Sequence, residues 1–530
     1  MRFLLLLALL LVAALGWLIL RPPGGVSEAE RSTTRPAVVR NAGRRPPTER
    51  PGTPLVVPLG EPAAERYAEA RPTEADRALA PLVHRAGGDY DPALAHAARE
   101  LAGFYATEGR LAPGSVLAFL LDSAGVAAWG VRQGVVATTA DGDQALVEAV
   151  AEHLTAEHGP WRVGVGEAVR LGEGPHRIIA VLLAHPTHLL EPLDRAPEAG
   201  TLRIAGELLP GHIKPALVVQ DPDLNFVDVP VTLEGRHFEA SWPAEQAGRW
   251  VAELLAEGAT GPIPLSQLTF FVEGTVPDVF EGTWPGDDQP ERDPGDQSAE
   301  LLRQDRARFG LAPLLRDPAL DAIARAHCLD MRTNGFVGHR SPTTGGPSDR
   351  LTAAGYRAAS SGENVALNQS LADAEEGLMR SLGHRRNLLS SDFTHVGVAA
   401  LAQGDHWYVT QLFATPTPVL DDPAAARDLL AERLAAARAE AGVPALRLTA
   451  QLTRLAQAAA ERPRPTPQQV LDAAGSARIT GRLSAWVGRL GLLSQFEPEG
   501  GLLDAGFRQV GLGISQDAEG ALHVVVLLAQ

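Results

Sequence analysis

The chain has 530 residues, of which 45% are hydrophobic and 21% charged, and this length predicts roughly three or four domains rather than one core. The formal net charge of -17 would repel phosphate backbones, so nucleic acid is not an expected partner. A single cysteine, Cys328, rules out an internal disulfide and a cysteine-based zinc cluster.

The amino-terminal residues predict export. Residues 3–20 are apolar throughout, at the lower edge of what spans a bilayer, so residues 1–21 are expected to be a signal peptide or, preferably, an uncleaved membrane anchor. We therefore expect an extracytoplasmic body, although more arginines follow the segment than precede it, which alone would place the body in the cytoplasm. Residues 22–62, rich in Pro and Arg, predict an extended tether.

The body of the chain divides by its patterning. Residues 63–195 predict an α/β unit. Between residues 200 and 283, apolar and polar residues alternate, as at Val227, Val229 and Val231, and this period of two predicts a small antiparallel β-sandwich. Residues 284–298 are polar and contain Pro and Gly, so they are interpreted as a linker.

The last part of the chain repeats the part before it. Residues 299–331 align without a gap to 431–463, and the identical pairs include Arg306 with Arg438. Gly397 and Gly511 also match, each followed by an apolar strand, so residues 424–530 predict a reduced copy of residues 299–415. Residues 63–195 contain a fainter echo around Gly164, which chance similarity between alanine-rich helices explains equally well.

Six short strings carry the main functional signal, because they occur in order and with sensible spacing. They are Gly310-Leu311-Ala312-Pro313-Leu314, Phe336-Val337-Gly338-His339, Gly362-Glu363-Asn364-Val365-Ala366, Ser381-Leu382-Gly383-His384-Arg385-Arg386-Asn387, Val396-Gly397-Val398 and Trp407-Tyr408-Val409-Thr410-Gln411-Leu412-Phe413.

Together these strings resemble the CAP superfamily (cysteine-rich secretory proteins, antigen 5 and pathogenesis-related-1) in its bacterial, SCP-like extracellular form. The resemblance implies an α-β-α sandwich, with helices on both faces of a mainly antiparallel sheet and a shallow cleft. The expected fold class is therefore α+β and multidomain, with a CAP domain at 299–415, an adjacent all-β sandwich and degenerate CAP-like flanking units.

The resemblance also implies a site. Two histidines and two glutamates line the cleft in the family, and three of them carry over to His339, Glu363 and His384, whereas the fourth position is Ser381. Two imidazoles and one carboxylate are ligand types of a zinc site, so a divalent metal is a possible cofactor. A purely structural role for Glu363, in its Gly-Glu-Asn turn, is nearly as good an interpretation.

Two functions remain open from the sequence. The first is an exported, non-catalytic binding module whose cleft holds a lipid, glycan or protein ligand. The second is a metal-dependent hydrolase, a peptidase or cell-wall enzyme, in which His339 and His384 bind the metal and Glu363 acts as base. The missing carboxylate at Ser381 favours the first, because it leaves fewer groups for proton transfer.

Overall fold

The computed structural model describes residues 52–140, 142–154, 161–170, 176–286, 289–517 and 520–530, and the backbone of a short strand at 38–39. The expected anchor at residues 3–20 and most of the expected tether lie outside these residues. Within the described part, no helix has the length and apolar character needed to cross a bilayer.

The first unit combines four helices with a mixed sheet. Its helices are α1 (Glu74–Ala86), α2 (Pro92–Glu108), α3 (Gly114–Ser123) and α4 (Asp143–Leu154). Its strands, after β1 (Val38–Val39), are β2 (Pro54–Pro58), β3 (Arg66–Tyr67), β4 (Asp89–Tyr90), β5 (Arg132–Thr138), β6 (Arg162–Arg170), β7 (His176–Ala184), β8 (His188–Leu190) and β9 (Leu193–Asp194). The central sheet has the order β4-β6-β7-β5.

Two antiparallel sheets follow and share one core. Their strands are β10 (Gly200–Leu208), β11 (Ile213–Gln220), β12 (Phe226–Val229), β13 (Val231–Glu234), β14 (His237–Ala244), β15 (Gly248–Gly258) and β16 (Gly261–Val272), with β17 (Val279–Thr283) after them. One sheet is β1-β12-β11-β15-β16 and the other β13-β14-β10-β8. Phe238 and Trp242 of the second sheet pack against Trp250 and Phe270 of the first, so the alternating residues meet between the sheets.

The third unit has helices on both faces of a four-stranded sheet. Its elements are α5 (Pro294–Arg308), β18 (Leu315–Arg316), α6 (Pro318–Asn334), α7 (Pro347–Ala353), β19 (Ala358–Asn368), α8 (Leu371–Arg380), α9 (Leu382–Leu388), β20 (His395–Gln403) and β21 (His406–Pro416). Helix α6 begins at Pro318 because Asp317 caps it, and it ends where Gly335 takes a left-handed φ of 66°. Separate apolar clusters fill the two faces of the sheet, one under α6 and one under α5 and α8.

The last unit has the same layout. Its elements are α10 (Pro423–Glu440), β22 (Arg447–Leu448), α11 (Ala450–Ala460), α12 (Pro467–Ser476), β23 (Leu483–Leu490), β24 (Gln509–Gln516) and β25 (Leu522–Ala529), with two short 3₁₀ turns between β23 and β24. In this unit and in both α/β units before it, a short edge strand pairs in parallel with its neighbour in the sheet, and the other pairings are antiparallel. The parallel pairs are β4 with β6, β18 with β20 and β22 with β24. That residues 424–530 are a reduced copy of residues 299–415 stays a prediction, and the origin of the fainter echo in residues 63–195 stays open.

Matching glycines explain one sequence similarity between the units. A Cβ added to Gly164, Gly397 or Gly511 would lie 2.1 Å from the backbone carbonyl carbon of Leu94, Leu320 or Leu452, respectively. In each unit the helix therefore crosses the sheet so closely that only glycine fits.

The aligned arginines also have equivalent roles. Arg306 Nη1 donates to the carbonyl oxygens of Leu388 (2.7 Å) and Ser390 (2.9 Å). Arg438 Nη1 donates in the same way to Leu502 (2.7 Å) and Asp504 (3.2 Å). Both side chains are buried, so this identity between the units reflects loop anchoring and not a binding site.

Three expected boundaries differ from the structure. Residues 54–58, expected in the 22–62 tether, form β2, which buries Leu55 and Val57 and pairs with β17. Strand β8, expected in the 63–195 unit, pairs with β10 and extends the 200–283 sandwich. Helix α5 begins inside the expected 284–298 linker because Asp293 accepts hydrogen bonds from the amides of Gly295 and Asp296.

Candidate functional site

Three separate elements of the third unit bring the expected site residues together. His339 lies in the loop after α6, Glu363 on β19 and His384 on α9. The His339 and His384 rings have centroids 5.7 Å apart, and His339 Nδ1 lies 3.1 Å from Glu363 Oε1. Residues that are far apart in sequence therefore share one polar cluster.

Glu363 is held by an arginine that the sequence analysis did not single out. Arg350, on α7, donates from Nη2 to Glu363 Oε2 at 2.5 Å and from Nη1 to the carbonyl oxygens of Gly345 and His339. Both side chains are almost fully buried. Burial opposes the Glu363 charge, but the His339 hydrogen bond and the Arg350 charge outweigh it and lower the pKa of Glu363. Glu363 is thus an ionised carboxylate with both oxygens engaged.

His327 also belongs to the cluster. It lies on the buried stripe of α6, where its Nε2 contacts the Gly338 carbonyl oxygen at 2.9 Å and lies 3.8 Å from Glu363 Oε1. Burial lowers the pKa of His327, although the Glu363 charge partly opposes this. The sequence signal for its role is a histidine at a core-facing helix position.

His384 is enclosed in the cluster, although part of its surface remains accessible. Burial, with a smaller contribution from His339, lowers the pKa of His384 to about 3, so the ring is neutral near pH 7. Its helix is tied to the sheet by asparagines, because Asn387 Nδ2 donates to the Glu363 carbonyl oxygen and Asn364 Nδ2 donates to the His384 carbonyl oxygen, each at 3.2 Å. These contacts fix His384 relative to Glu363.

The expected zinc site does not fit this arrangement. Each Glu363 oxygen already has a protein partner, since Oε1 faces His339 and Oε2 is paired with Arg350. His339 and His384 alone supply two ligands, fewer than the three protein ligands typical of a catalytic zinc. Across the described ranges, no three His, Cys, Asp or Glu side chains are placed to hold a metal ion.

A carboxylate from the sandwich reaches the position where the family's fourth residue is replaced. Ser381, between α8 and α9, donates from Oγ to Glu253 Oε1 at 3.1 Å. The amide of Leu382 donates to Glu253 Oε2 at 2.7 Å. Glu253 lies on β15 and is fully buried, so it joins the sandwich to the start of the helix that carries His384.

The sandwich also contacts the loop that carries His339. The turn between β15 and β16 accepts a hydrogen bond from the Arg340 amide at the Thr260 carbonyl oxygen, 2.8 Å away. Thr260 Oγ1 donates to the Val337 carbonyl oxygen at 3.2 Å. The sandwich therefore covers one side of the cluster and leaves the His339 side chain 23% exposed.

Comparisons with known proteins identify this region. The family model described as the cysteine-rich secretory protein family, CAP, matches residues 300–413. An uncharacterized protein YkwD of Bacillus subtilis is 38% identical over 115 residues, which is 22% of this chain and 44% of YkwD. An uncharacterized membrane protein YlbC of the same organism is 37% identical over 118 residues, 22% of this chain and 33% of YlbC.

A solved extracellular protein containing an SCP domain, from Bacillus anthracis, is 21% identical, with a TM-score of 0.22, and the match covers 41% of this chain and 77% of that one. The chain spans less than half the length of the two curated relatives. The match to the family model coincides with the unit that contains His339, Glu363 and His384. This α+β chain therefore contains a bacterial CAP superfamily domain at residues 300–413.

Proposed function

We propose that the protein is an exported, non-catalytic binding module whose CAP cleft holds a ligand between His339 and His384. The observation that carries this proposal is the buried ion pair of Glu363 with Arg350, at 2.5 Å. It makes Glu363 a structural group that orients His339 through Nδ1. The two histidines are then left to contact a ligand.

The geometry favours binding over hydrolysis. A general base is most effective when its pKa lies near the working pH, whereas Glu363 has a lowered pKa and its oxygens face His339 and Arg350. The alternative, a metal-dependent peptidase or cell-wall enzyme, also needs a metal that the Glu363 pairing disfavours. Hydrolysis in the experiment below would support this alternative.

The chemistry of the cleft suggests what the ligand presents. His384 is neutral near pH 7, and the Glu363 charge is balanced by Arg350. The neutral His384 imidazole then offers a hydrogen bond without net charge. Among lipid, glycan and protein ligands, this favours one rich in hydroxyl groups, such as a glycan.

The proposed location is extracytoplasmic. Its support is the apolar run at residues 3–20 and the similarity to YlbC, which is described as a membrane protein. The membrane is thus a proposed partner through that segment. The arginines after the segment favour a cytoplasmic body instead. The location is therefore tested separately from ligand binding.

The test is a binding screen of the full-length protein against glycans, lipid vesicles and candidate proteins, repeated with His384→Ala. His406→Ala is the matched control, because His406 is a half-exposed histidine of the same domain whose ring pairs with Asp405. We expect a ligand that binds the wild type and the control but is lost or weakened at least tenfold in His384→Ala. Hydrolysis of a peptide or cell-wall substrate that depends on His384 and added zinc would overturn the proposal.

A further inference from the structure

A pocket that is partly open to solvent lies outside the CAP cleft. It is a cavity of about 600 Å³ where the first unit, the sandwich and the CAP domain meet. Its walls come from α3, β15, β16, α5, α8 and α9. Its volume is within the usual range of small-molecule sites, which often form at domain junctions.

Positive charge predominates in the wall. Four arginines line the cavity, Arg249, Arg308, Arg380 and Arg385, against three carboxylates. One of these carboxylates, Asp122, is already paired with Arg195 at 2.9 Å. Arg195 is not part of the wall, so the remaining groups leave room for an anion.

Arg249 is the arginine that lacks a protein partner. Arg308 pairs with Asp305 at 2.7 Å, Arg380 donates to the Gly114 carbonyl oxygen at 3.1 Å, and Arg385 donates to Gln220 at 3.0 Å. The Arg249 guanidinium makes no side-chain hydrogen bond or salt bridge to any residue in the described ranges. Its side chain is exposed to solvent and lines this pocket, where desolvation by the surrounding protein lowers its pKa and Asp122 opposes this. An anionic group bound in the pocket would therefore meet a guanidinium whose donors are not used by other side chains.

Aromatic rings form another part of the wall. Phe119 of α3 and Phe280 of β17 have ring centroids 5.8 Å apart. Trp129 lies under the Arg380 guanidinium at 4.8 Å, and Phe271 of β16 also lines the cavity. Such faces pack against the flat or apolar body of a ligand.

We propose that this cavity binds a small organic anion that carries one sulfonate, carboxylate or phosphate group on an apolar, ring-sized body. Arg249 pairs with the anionic group through its fork of N–H donors. Phe119, Phe280 and Trp129 pack against the body. The site is separate from the CAP cleft, and it exists only where the three units are assembled.

The test is isothermal titration calorimetry of the full-length protein with 2-naphthalenesulfonate, with the same buffer titrated as blank. Two further probes separate the contributions: inorganic sulfate has the charge without the body, and naphthalene-2-sulfonamide has the body without the charge. We expect 2-naphthalenesulfonate to bind at least tenfold more tightly than either. Arg249→Gln should weaken its binding at least tenfold.

Arg203→Gln is the matched control, because Arg203 is an exposed arginine of the same sandwich that pairs with Glu191 and Glu239. It should bind as the wild type does. Arg249→Lys keeps the charge but not the fork, so it should bind with intermediate affinity, and it replaces Arg249→Gln if that variant fails to fold. Equal affinity in Arg249→Gln and wild type, no binding to the wild type, or sulfate binding as tightly as the full probe would overturn the proposal.

Discussion

Replacing Glu253 by alanine tests how the sandwich is attached to the CAP domain. The carboxylate accepts hydrogen bonds from Ser381 Oγ, the Leu382 amide and, at 3.3 Å, Gln267 Nε2. Leu382 also packs against Val251 and Leu255 beside it. The substitution therefore removes the hydrogen bonds of the Glu253 carboxylate and leaves these apolar contacts in place.

The expected cost follows from burial. Ser381 and Leu382 are 1% and 0% exposed, and a buried donor left without a partner costs about 1–3 kcal/mol. Burial raises the pKa of Glu253 although these hydrogen bonds oppose it, so removing the carboxylate also relieves a desolvation cost. A net loss of about 2 kcal/mol would make the junction open about 30-fold more often.

Hydrogen–deuterium exchange read by mass spectrometry measures this opening. In Glu253→Ala, peptides that cover the start of α9 should exchange about 30-fold faster, while β24 and β25 in the last unit should be unaffected. Glu253→Gln keeps one acceptor oxygen and should show a smaller increase. Glu239→Ala is the control, since Glu239 is an exposed sandwich carboxylate, and it should leave α9 unchanged.

The result that would refute this reasoning is a folded Glu253→Ala variant in which α9 exchanges at the wild-type rate. The carboxylate would then not hold the junction closed, and the remaining contacts between the sandwich and the CAP domain, such as those of Leu382 and Thr260, would be sufficient.

His384 should make the free energy of unfolding depend on pH, because its pKa of about 3 in the folded protein lies below the ~6.5 of an unfolded histidine. The neutral folded form is fully favoured above pH ~6.5. Below that pH the free energy of unfolding falls by about 1.4 kcal/mol per pH unit as pH drops toward 3. From pH 7 to 5, the free energy of unfolding measured by urea denaturation should fall by about 2 kcal/mol more in wild type and His406→Asn than in His384→Asn. Equal decreases in all three proteins would contradict this. Gly511→Ala should destabilise the last unit by about 3 kcal/mol or more in thermal unfolding, because the added Cβ would meet the α11 backbone. Gly475→Ala is the control and should be neutral or stabilising, because a Cβ at Gly475 would meet nothing within 4 Å. Similar melting temperatures for the two variants would refute the close crossing of α11 over the sheet. A reporter fused after Gln530 that works only outside the cytoplasm should be active, and cytoplasmic activity would contradict export.

Local signals predicted elements well within the CAP domain. The sequence predicts a helix from Leu371 to Arg380, and α8 has those bounds. Residues 407–413 are mostly apolar, which predicts a buried strand, and they lie inside β21. The start of α8 is marked by a neighbouring residue, since Ser370 caps the helix by accepting a hydrogen bond from the Asp373 amide.

Partners brought from elsewhere in the chain could not be predicted. Arg350 is an arginine of a short helix, and nothing in its neighbours shows that it is buried against Glu363. From the sequence, Glu253 is interpreted as one polar position in a strand of the sandwich, but in the structure it is fully buried against another domain. Tertiary packing decides both roles, so the sequence indicated the histidines of the site but not the groups that engage Glu363 or Ser381.

The end of the expected tether differs from the structure for a similar reason. Strand β2 is short and lies between prolines, and it is stabilised by pairing with β17, more than two hundred residues away. A long-range pairing of this kind leaves no periodicity in the sequence. By contrast, the start of α5 had a local signal, the Asp293-Pro294 pair, that a capping analysis would have found.

The most direct test of a cleft that works without metal catalysis is the metal content of the purified full-length protein. We expect well below one zinc per chain by inductively coupled plasma mass spectrometry, because Arg350 and His339 engage both oxygens of Glu363. We also expect no change in metal content in His384→Ala relative to His406→Ala. One zinc per chain, retained in His406→Ala and lost in His384→Ala, would contradict the non-catalytic binding function and support the hydrolase.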